Sequence, residues 1–347
     1  MRNIFIILLS LLSLCLTSCG GDQIFQSQSY VFGTLVDITI IDLPEERARE
    51  LVNHVMQTFQ GLHNRLHAWH ASELSTLNAG FAHGEKINIS AELARIINDA
   101  TLLSQQSDGL FNPAIGGLIK AWGFQRSEFK AVQPNPEEIS KLVKANPKMT
   151  DIVIKENKAY SNNPFVQLDF GGYAKGYALD VAAKYLRDQG VKNALINIGG
   201  NIIAIGKHGN NAWRVGIKDP RGPGALATVD LADGWAIGTS GDYQRYFELN
   251  GKRYCHIINP FTGNPAPGIE AVIILIPPQH NAGTLSDVLS KPIFLSSSDQ
   301  RTKYVKKFNL KNVMLIDDQQ HIFVTYLLAK RLTWLDVHKA KLVQPLI

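Results

Sequence analysis

The stretch Leu168-Asp169-Phe170-Gly171-Gly172-Tyr173-Ala174-Lys175-Gly176-Tyr177-Ala178-Leu179-Asp180 reads as the end of a strand, a double-glycine turn and the first turns of a helix. It carries an acid before the turn and a base just after it. The first N–H groups of a helix have no intrahelical partner and bear partial positive charge, so an anion fits there, and glycines let it approach closely. The same pattern also serves as a plain tight turn. Its spacing matches neither the G-x-G-x-x-G of dinucleotide-binding folds nor the G-x-x-x-x-G-K-[ST] of P-loops. Its meaning therefore depends on the residues around it.

At the N-terminus, Arg2 precedes an apolar run from Ile4 to Leu16 that closes on Thr17-Ser18-Cys19-Gly20. The run is short for a membrane span. Small residues before a cysteine are the pattern of a bacterial lipoprotein signal, in which residues 1–18 are removed and Cys19 is lipidated. The alternative is a secretory signal cut elsewhere. The expectation is a chain held by lipid at the periplasmic face of a membrane in the bacterial cell envelope. The inner membrane is favoured and the outer left open, because Gly20 stands where a retention Asp is usual.

Residues 19–29 read as a tether, 30–330 as one folded domain and 331–347 as a C-terminal extension. Of three cysteines, removal of Cys15 and lipidation of Cys19 leave Cys255, so packing without an intrachain disulfide must stabilise the fold. A hydrophobic content of 45% in 347 residues suffices for a sizeable core. A net charge of +5 with both signs dispersed, and no basic run beyond Lys306-Lys307, argues against nucleic-acid binding and leaves acidic substrates open.

The pattern predicts an α+β fold with mixed, largely antiparallel sheets and flanking helices. Val31, Leu35, Val36, Ile38 and Ile40 suggest a first strand. Pro44-Glu45-Glu46 opens a helix with Ala48, Leu51, Val52, Val55, Phe59, Leu62 and Leu66 on one face. Ser90 is a fitting N-cap for a second helix that ends at Asp108-Gly109. Strands are expected at 166–170, 194–198, 202–205, 213–217, 228–231 and 271–276, with a helix over 173–189. Asn250-Gly251 marks a hairpin, since its turn needs two residues that tolerate positive φ. A last hairpin turns at Asp317-Asp318-Gln319-Gln320.

Several motifs now fall in one order: Phe32-Gly33-Thr34; Trp69; Ser72 to Asn78; Phe111-Asn112-Pro113-Ala114-Ile115-Gly116-Gly117-Leu118 with Trp122-Gly123-Phe124; Asp169 to Asp180; Asn197-Ile198-Gly199-Gly200-Asn201; Thr239-Ser240-Gly241-Asp242-Tyr243; and His256-Ile257-Ile258-Asn259-Pro260 with Thr262-Gly263. Together, over about residues 30 to 325, they resemble the ApbE family of FAD:protein FMN transferases. The resemblance implies that FAD is bound and that its FMN half passes to a threonine hydroxyl of a partner protein through a phosphoester bond. AMP is released, and Mg²⁺ assists. It also implies that the acceptors are threonine-bearing subunits of membrane redox complexes. Such chemistry needs charge neutralisation, an in-line hydroxyl and a proton acceptor rather than an enzyme nucleophile.

The same resemblance distributes the roles. Asp169 is placed against the flavin nucleotide and Lys175 near a phosphate oxygen. Phe32 and Trp69 pack on the ring, and Leu110, Phe111 and Asn112 form a contact segment in which Asn112 replaces the usual Asp. Ser240 and Asp242, with Thr239, line the pocket beside His256 and Ile257. His256 is the general-base candidate, since imidazole titrates near neutrality; a hydrogen bond to phosphate or ribose is the alternative. Asn259 replaces an Asp that would orient it.

The segment Gly283 to Pro292 matches the family's metal-binding stretch, with Gly172, Asp287 and Ser290 as ligands and Lys291 where Thr is usual. Asp287 and Lys291, at i and i+4, share a helix face, so the ammonium either substitutes for the metal's charge or points away. His63 and His67 have a zinc-compatible spacing, but without a further ligand they and His70 read as a solvent-facing helix end. Two other activities fit the same residues: an FAD pyrophosphatase, with water in place of the threonine, and a periplasmic FAD-binding lipoprotein without turnover.

Overall fold

The computed structural model describes residues 23–126 and 131–346; the signal and lipidation site at Cys19 lie outside the described residues. A nine-stranded sheet forms the centre, and its spatial order follows chain order: Ile24–Val31, Thr34–Ile41, Asn193–Ile198, Asn201–Ile205, Ala236–Gly241, Ile269–Ile276, Val313–Asp317, Ile322–Val324, Val343–Pro345. Every pairing is antiparallel except the last, which is parallel. The α+β expectation therefore holds.

The Glu45–Arg65 and Ala174–Asp188 helices cover one face of the sheet through Leu51, Val55, Phe59, Leu179, Ala182 and Leu186. On the other face lies a three-stranded sheet of Trp213–Lys218, Ala225–Leu231 and Leu332–Trp334. Ile269–Ile276 is buried at every position because both faces above it are covered. Each isoleucine enclosed there contributes about 2 kcal/mol relative to exposure. A second apolar cluster joins the Glu73–His83 and Ala91–Gln106 helices to the short strands Ile152–Lys155 and Lys158–Ser161. Ser90 caps the latter helix, its hydroxyl accepting from Leu93 N at 3.1 Å.

Three expectations are corrected. Residues 24–29 are no tether: Ile24–Val31 pairs along its whole length with Thr34–Ile41. The turn between them is Phe32-Gly33, with φ of 56° and 72°. This outer strand is half exposed, which explains its polar alternation. The domain does not stop at 330, since Leu332–Trp334 and Val343–Pro345 each join a sheet. Residues 166–170 form no strand. They run extended with one bridge from Gln167 to Ile115, and the Asn78 side chain bonds both Leu168 N (2.7 Å) and Leu168 O (2.9 Å), standing in for a neighbouring strand.

The element that positions the site is a clasp between the Ala174–Asp188 and Ala282–Val288 helices. A Cβ at Gly176 would lie 2.4 Å from Gly283 O, and one at Gly283 would lie 2.6 Å from Gly176 O, so the backbones touch. Each helix N-terminus receives a carboxylate from the other helix. Asp287 Oδ2 accepts from Gly176 N at 3.1 Å, while Asp180 accepts from Gly283 N, Thr284 N and Thr284 Oγ1, each at 2.7 Å. Burial pushes the Asp180 carboxyl up to about 6 despite those three bonds. Gly176→Ala forces these helices apart and is expected to cost about 3 kcal/mol, measured as a lower midpoint in guanidinium unfolding at unchanged slope; an unchanged midpoint would refute the contact.

Candidate functional site

The cleft lies where three apolar clusters meet. It is walled by Leu110, Phe111, Ile115, Phe124, Ile257 and Ile258, and floored by Asp169, Gly172 and Lys175 of the glycine turn. Room for it opens where Asn201–Ile205 and Ala236–Gly241 part. Those strands pair only at Ala236–Ile203 and Ile237–Ile202, and beyond this the Asn201 side chain accepts from Thr239 N at 3.1 Å. Thr239 and Ser240 then line the cleft.

His256 enters from a hairpin. Tyr246–Leu249 and Lys252–Cys255 pair around the Asn250-Gly251 turn, with φ of 52° and 72°, and the register ends at Tyr246 opposite Cys255. The next residues outward, Arg245 and His256, are therefore neighbours: His256 N donates to Arg245 O at 3.1 Å, and His256 Nδ1 lies 3.2 Å from the same oxygen. A carbonyl only accepts, so Nδ1 carries the proton and Nε2 keeps its lone pair. Burial first, then the charges of Arg245, Lys175 and Lys291, push the His256 imidazole down to about 3. It is neutral near pH 7 and able to take a proton.

Three cations thus share the cleft. Burial, opposed by Asp287 and reinforced by Lys291 and Arg245, holds Lys175 below the usual lysine range. Arg245 is lowered by burial and also donates from Nη2 to Phe124 O at 2.7 Å. Against these cations stand Asp169 and Asp287, which leaves one positive charge in excess, a setting suited to a phosphoryl group. Sequence reading missed Arg245. The signal was present, because the Asn250-Gly251 turn fixes the register that sets residue 245 against residue 256.

Asp169 acts as a bracket: Oδ1 accepts from Gly171 N at 2.7 Å and Oδ2 from Trp69 Nε1 at 3.1 Å. Trp69 is held further by His67 Nδ1, which accepts from both Trp69 N and His70 N at 3.1 Å. His63 packs edge-on to Phe32, with ring centroids 5.8 Å apart, and to His67 at 5.3 Å. His63 and His67 are half-buried and support Phe32 and Trp69, so the solvent-facing reading holds for His70 alone. Among the described residues no cluster of three or more His, Cys, Asp or Glu is arranged to hold a metal.

Asn112 donates to Pro147 O at 2.9 Å and accepts from Ala114 N at 3.1 Å, so the amide is used at both ends where a carboxylate would face the carbonyl without a proton. Asn259 accepts from Phe261 N and Thr262 N and shapes the turn; His256 is oriented by Arg245 O instead. Asp242, expected in the pocket, sits past the strand end and forms two hydrogen bonds to Arg221, at 2.9 and 2.6 Å. Its carboxylate belongs to a largely buried ion-pair group in which Arg221 also pairs with Glu270 and Arg253 lies near Asp242.

The residues that resemblance assigns to Mg²⁺ converge, but the oxygens of Asp287 and Ser290 are engaged. Lys291 Nζ ion-pairs with Asp287 Oδ1 and donates to Asp287 O at 2.7 Å. Ser290 Oγ gives its hydrogen to Asp287 O at 2.6 Å and lies 2.6 Å from Ser240 Oγ. The Lys291 stem passes close to Gly172, where an added Cβ would meet Lys291 Cε at 3.0 Å. Burial alone would raise the Asp287 carboxyl, yet Lys291, Lys175 and the Gly176 N–H outweigh it and hold it below the ordinary range. Mg²⁺ demands an octahedral set of free hard oxygens. This donor set, already holding an ammonium, does not fit it.

The ApbE family model matches residues 32–315. A Rhodobacter capsulatus protein named FAD:protein FMN transferase is 37% identical over 296 residues, covering 85% of this chain and 56% of that one, so the chain spans little more than half of that relative. A Treponema pallidum protein of the same name is 30% identical over 315 residues, 84% of each. The solved ApbE protein of Thermotoga maritima has a TM-score of 0.80 at 27% identity, covering 89% of this chain and 99% of that one. The Vibrio cholerae flavin transferase ApbE, 23% identical with a TM-score of 0.77 over 90% of this chain and all of its own, shares the fold. On the span of these matches, the chain belongs to the ApbE family.

Proposed function

We propose that the chain transfers FMN from FAD to a threonine hydroxyl of a partner protein, with AMP as the leaving group. The observation that carries this reading is the cleft chemistry: a neutral His256 with its Nε2 lone pair free, ringed by Lys175, Arg245 and Lys291. The acceptor oxygen attacks the phosphorus on the FMN side, forming the new P–O bond. The bond from that phosphorus to the bridging oxygen breaks, AMP departs with that oxygen, and the hydroxyl proton passes to His256 Nε2. Lys175 and Arg245 stabilise the charge that builds on the phosphoryl oxygens. Asp169 holds the turn and fixes Trp69, so its part is positioning.

The names of the relatives support the transferase reading over simple binding. In the same reading, Cys19 is the lipidated mature N-terminus, the site works at the periplasmic face of the cell envelope, and the acceptors are subunits of membrane redox complexes. A soluble form starting at Gln23, which keeps the whole first strand, tests the reaction with FAD and a threonine-bearing acceptor peptide. The expected result is a peptide heavier by FMN together with AMP. AMP with free FMN would instead indicate hydrolysis, and intact bound FAD would indicate a carrier.

Two consequences are measurable. His256→Gln is expected to lower kcat by about 10²–10⁴-fold while FAD affinity, read by flavin fluorescence, stays within a few-fold. The base works deprotonated, so activity is lost as pH falls through its pKa; with the free-enzyme value near 3, kcat/KM is expected to stay level from pH 8 to pH 5. An acid limb near the ordinary imidazole value of about 6.5 would show that the cleft does not hold the imidazole down, and a limb that persists in His256→Gln would remove His256 from the role.

A further inference from the structure

We propose that Lys291 is a built-in cation occupying the position a divalent metal would take, so that this chain performs its transfer without Mg²⁺. The inference rests on the transferase reading for the reaction and on geometry for the site. The Lys291 ammonium has three N–H groups. Two are used, on Asp287 Oδ1 and Asp287 O. The side chain lines the cleft and is 14% exposed, which leaves the third N–H for a ligand there.

Asp287 is fixed from behind by the Gly176 N–H and is 3% exposed. It therefore has no freedom to swing toward a separate ion. Ser290 is fully buried and spends its hydroxyl hydrogen on Asp287 O. A divalent ion entering here would lie within contact distance of an ammonium and find the Asp287 and Ser290 oxygens already occupied, so it would be repelled as well as poorly liganded. An ammonium on a carboxylate supplies one positive charge, fixed in place by the helix spacing and needing no ion from solution. Across the transfer Lys291 keeps its proton. It hydrogen-bonds a non-bridging phosphoryl oxygen, while the P–O bond changes and the proton transfer to His256 are those given above.

The test joins metal binding to turnover. Chelator-stripped wild type, titrated with Mn²⁺ and followed by electron paramagnetic resonance, is expected to show no stoichiometric site at micromolar Mn²⁺. Its FMN transfer to the peptide is expected to agree within about twofold in EDTA and in Mg²⁺. Lys291→Thr restores a hydroxyl and frees Asp287, and is expected to bind one Mn²⁺ per chain, to lose about a hundredfold or more in EDTA, and to recover in Mg²⁺. Lys291→Met, which keeps the stem and removes the charge, should lose activity in both media. A wild type that binds one Mn²⁺ tightly and stops in EDTA would overturn the proposal. Absence of transfer from wild type in every medium would instead defeat the transferase reading, and the Mn²⁺ titration would still decide whether Lys291 excludes the ion.

Discussion

The backbone contact between Gly176 and Gly283, locked by Asp180 on one helix start and Asp287 on the other, is the constraint on which the site depends. It brings two segments more than a hundred residues apart into register at atomic tolerance. One side carries the glycine turn with Asp169, Gly172 and Lys175. The other carries Asp287, Ser290 and Lys291. Because each carboxylate satisfies N–H groups that would otherwise be buried without partners, loosening either helix exposes the other to the cost of an unmade bond, about 1–3 kcal/mol.

The electrostatics follow from that clasp. A helix start would ordinarily be open to a ligand anion, and the sequence invites that reading at Gly171 to Gly176. In the fold, Asp287 takes the Gly176 N–H, so cations rather than that N–H are left to receive negative charge. Lys175, Arg245 and Lys291 do this together. They also keep His256 neutral, which links charge neutralisation and proton acceptance in one arrangement. An anionic ligand lying among them would offset their charge and raise the basicity of Nε2, so the base strengthens when there is a proton to take.

How far the sequence could be read varied with the range of the interaction. Ser90 as a cap and Asn250-Gly251 as a turn were legible because their chemistry is local. Asp169, Lys175 and His256 were legible as members of ordered motifs, and all three line the cleft. Ile24–Val31 was not, because an edge strand with one wet face looks like a polar linker. Residues 166–170 read as a strand because they are extended and apolar; only the fold shows that Asn78 satisfies Leu168 in place of a neighbouring strand. Asp242 misled because it belongs to the Thr239-to-Tyr243 motif, whereas the strand ends at Gly241 and Asp242 hydrogen-bonds with Arg221. Nothing local in the chain announces that Asp180 and Asp287 exchange places.

The large sheet is laid down in the order of the chain, yet of its strands only Ala236–Gly241 lines the cleft, and the other lining residues come from segments inserted between strands, from Leu110 to Leu295. No single element or short fragment contains the cleft. Ligand affinity therefore belongs to the completed fold alone, and occupancy feeds back on the whole molecule: at a free concentration a hundred times the dissociation constant it deepens the native well by about 2.7 kcal/mol. Ligand supply then sets protein lifetime as well as reaction rate, with empty chains the first to open to proteases.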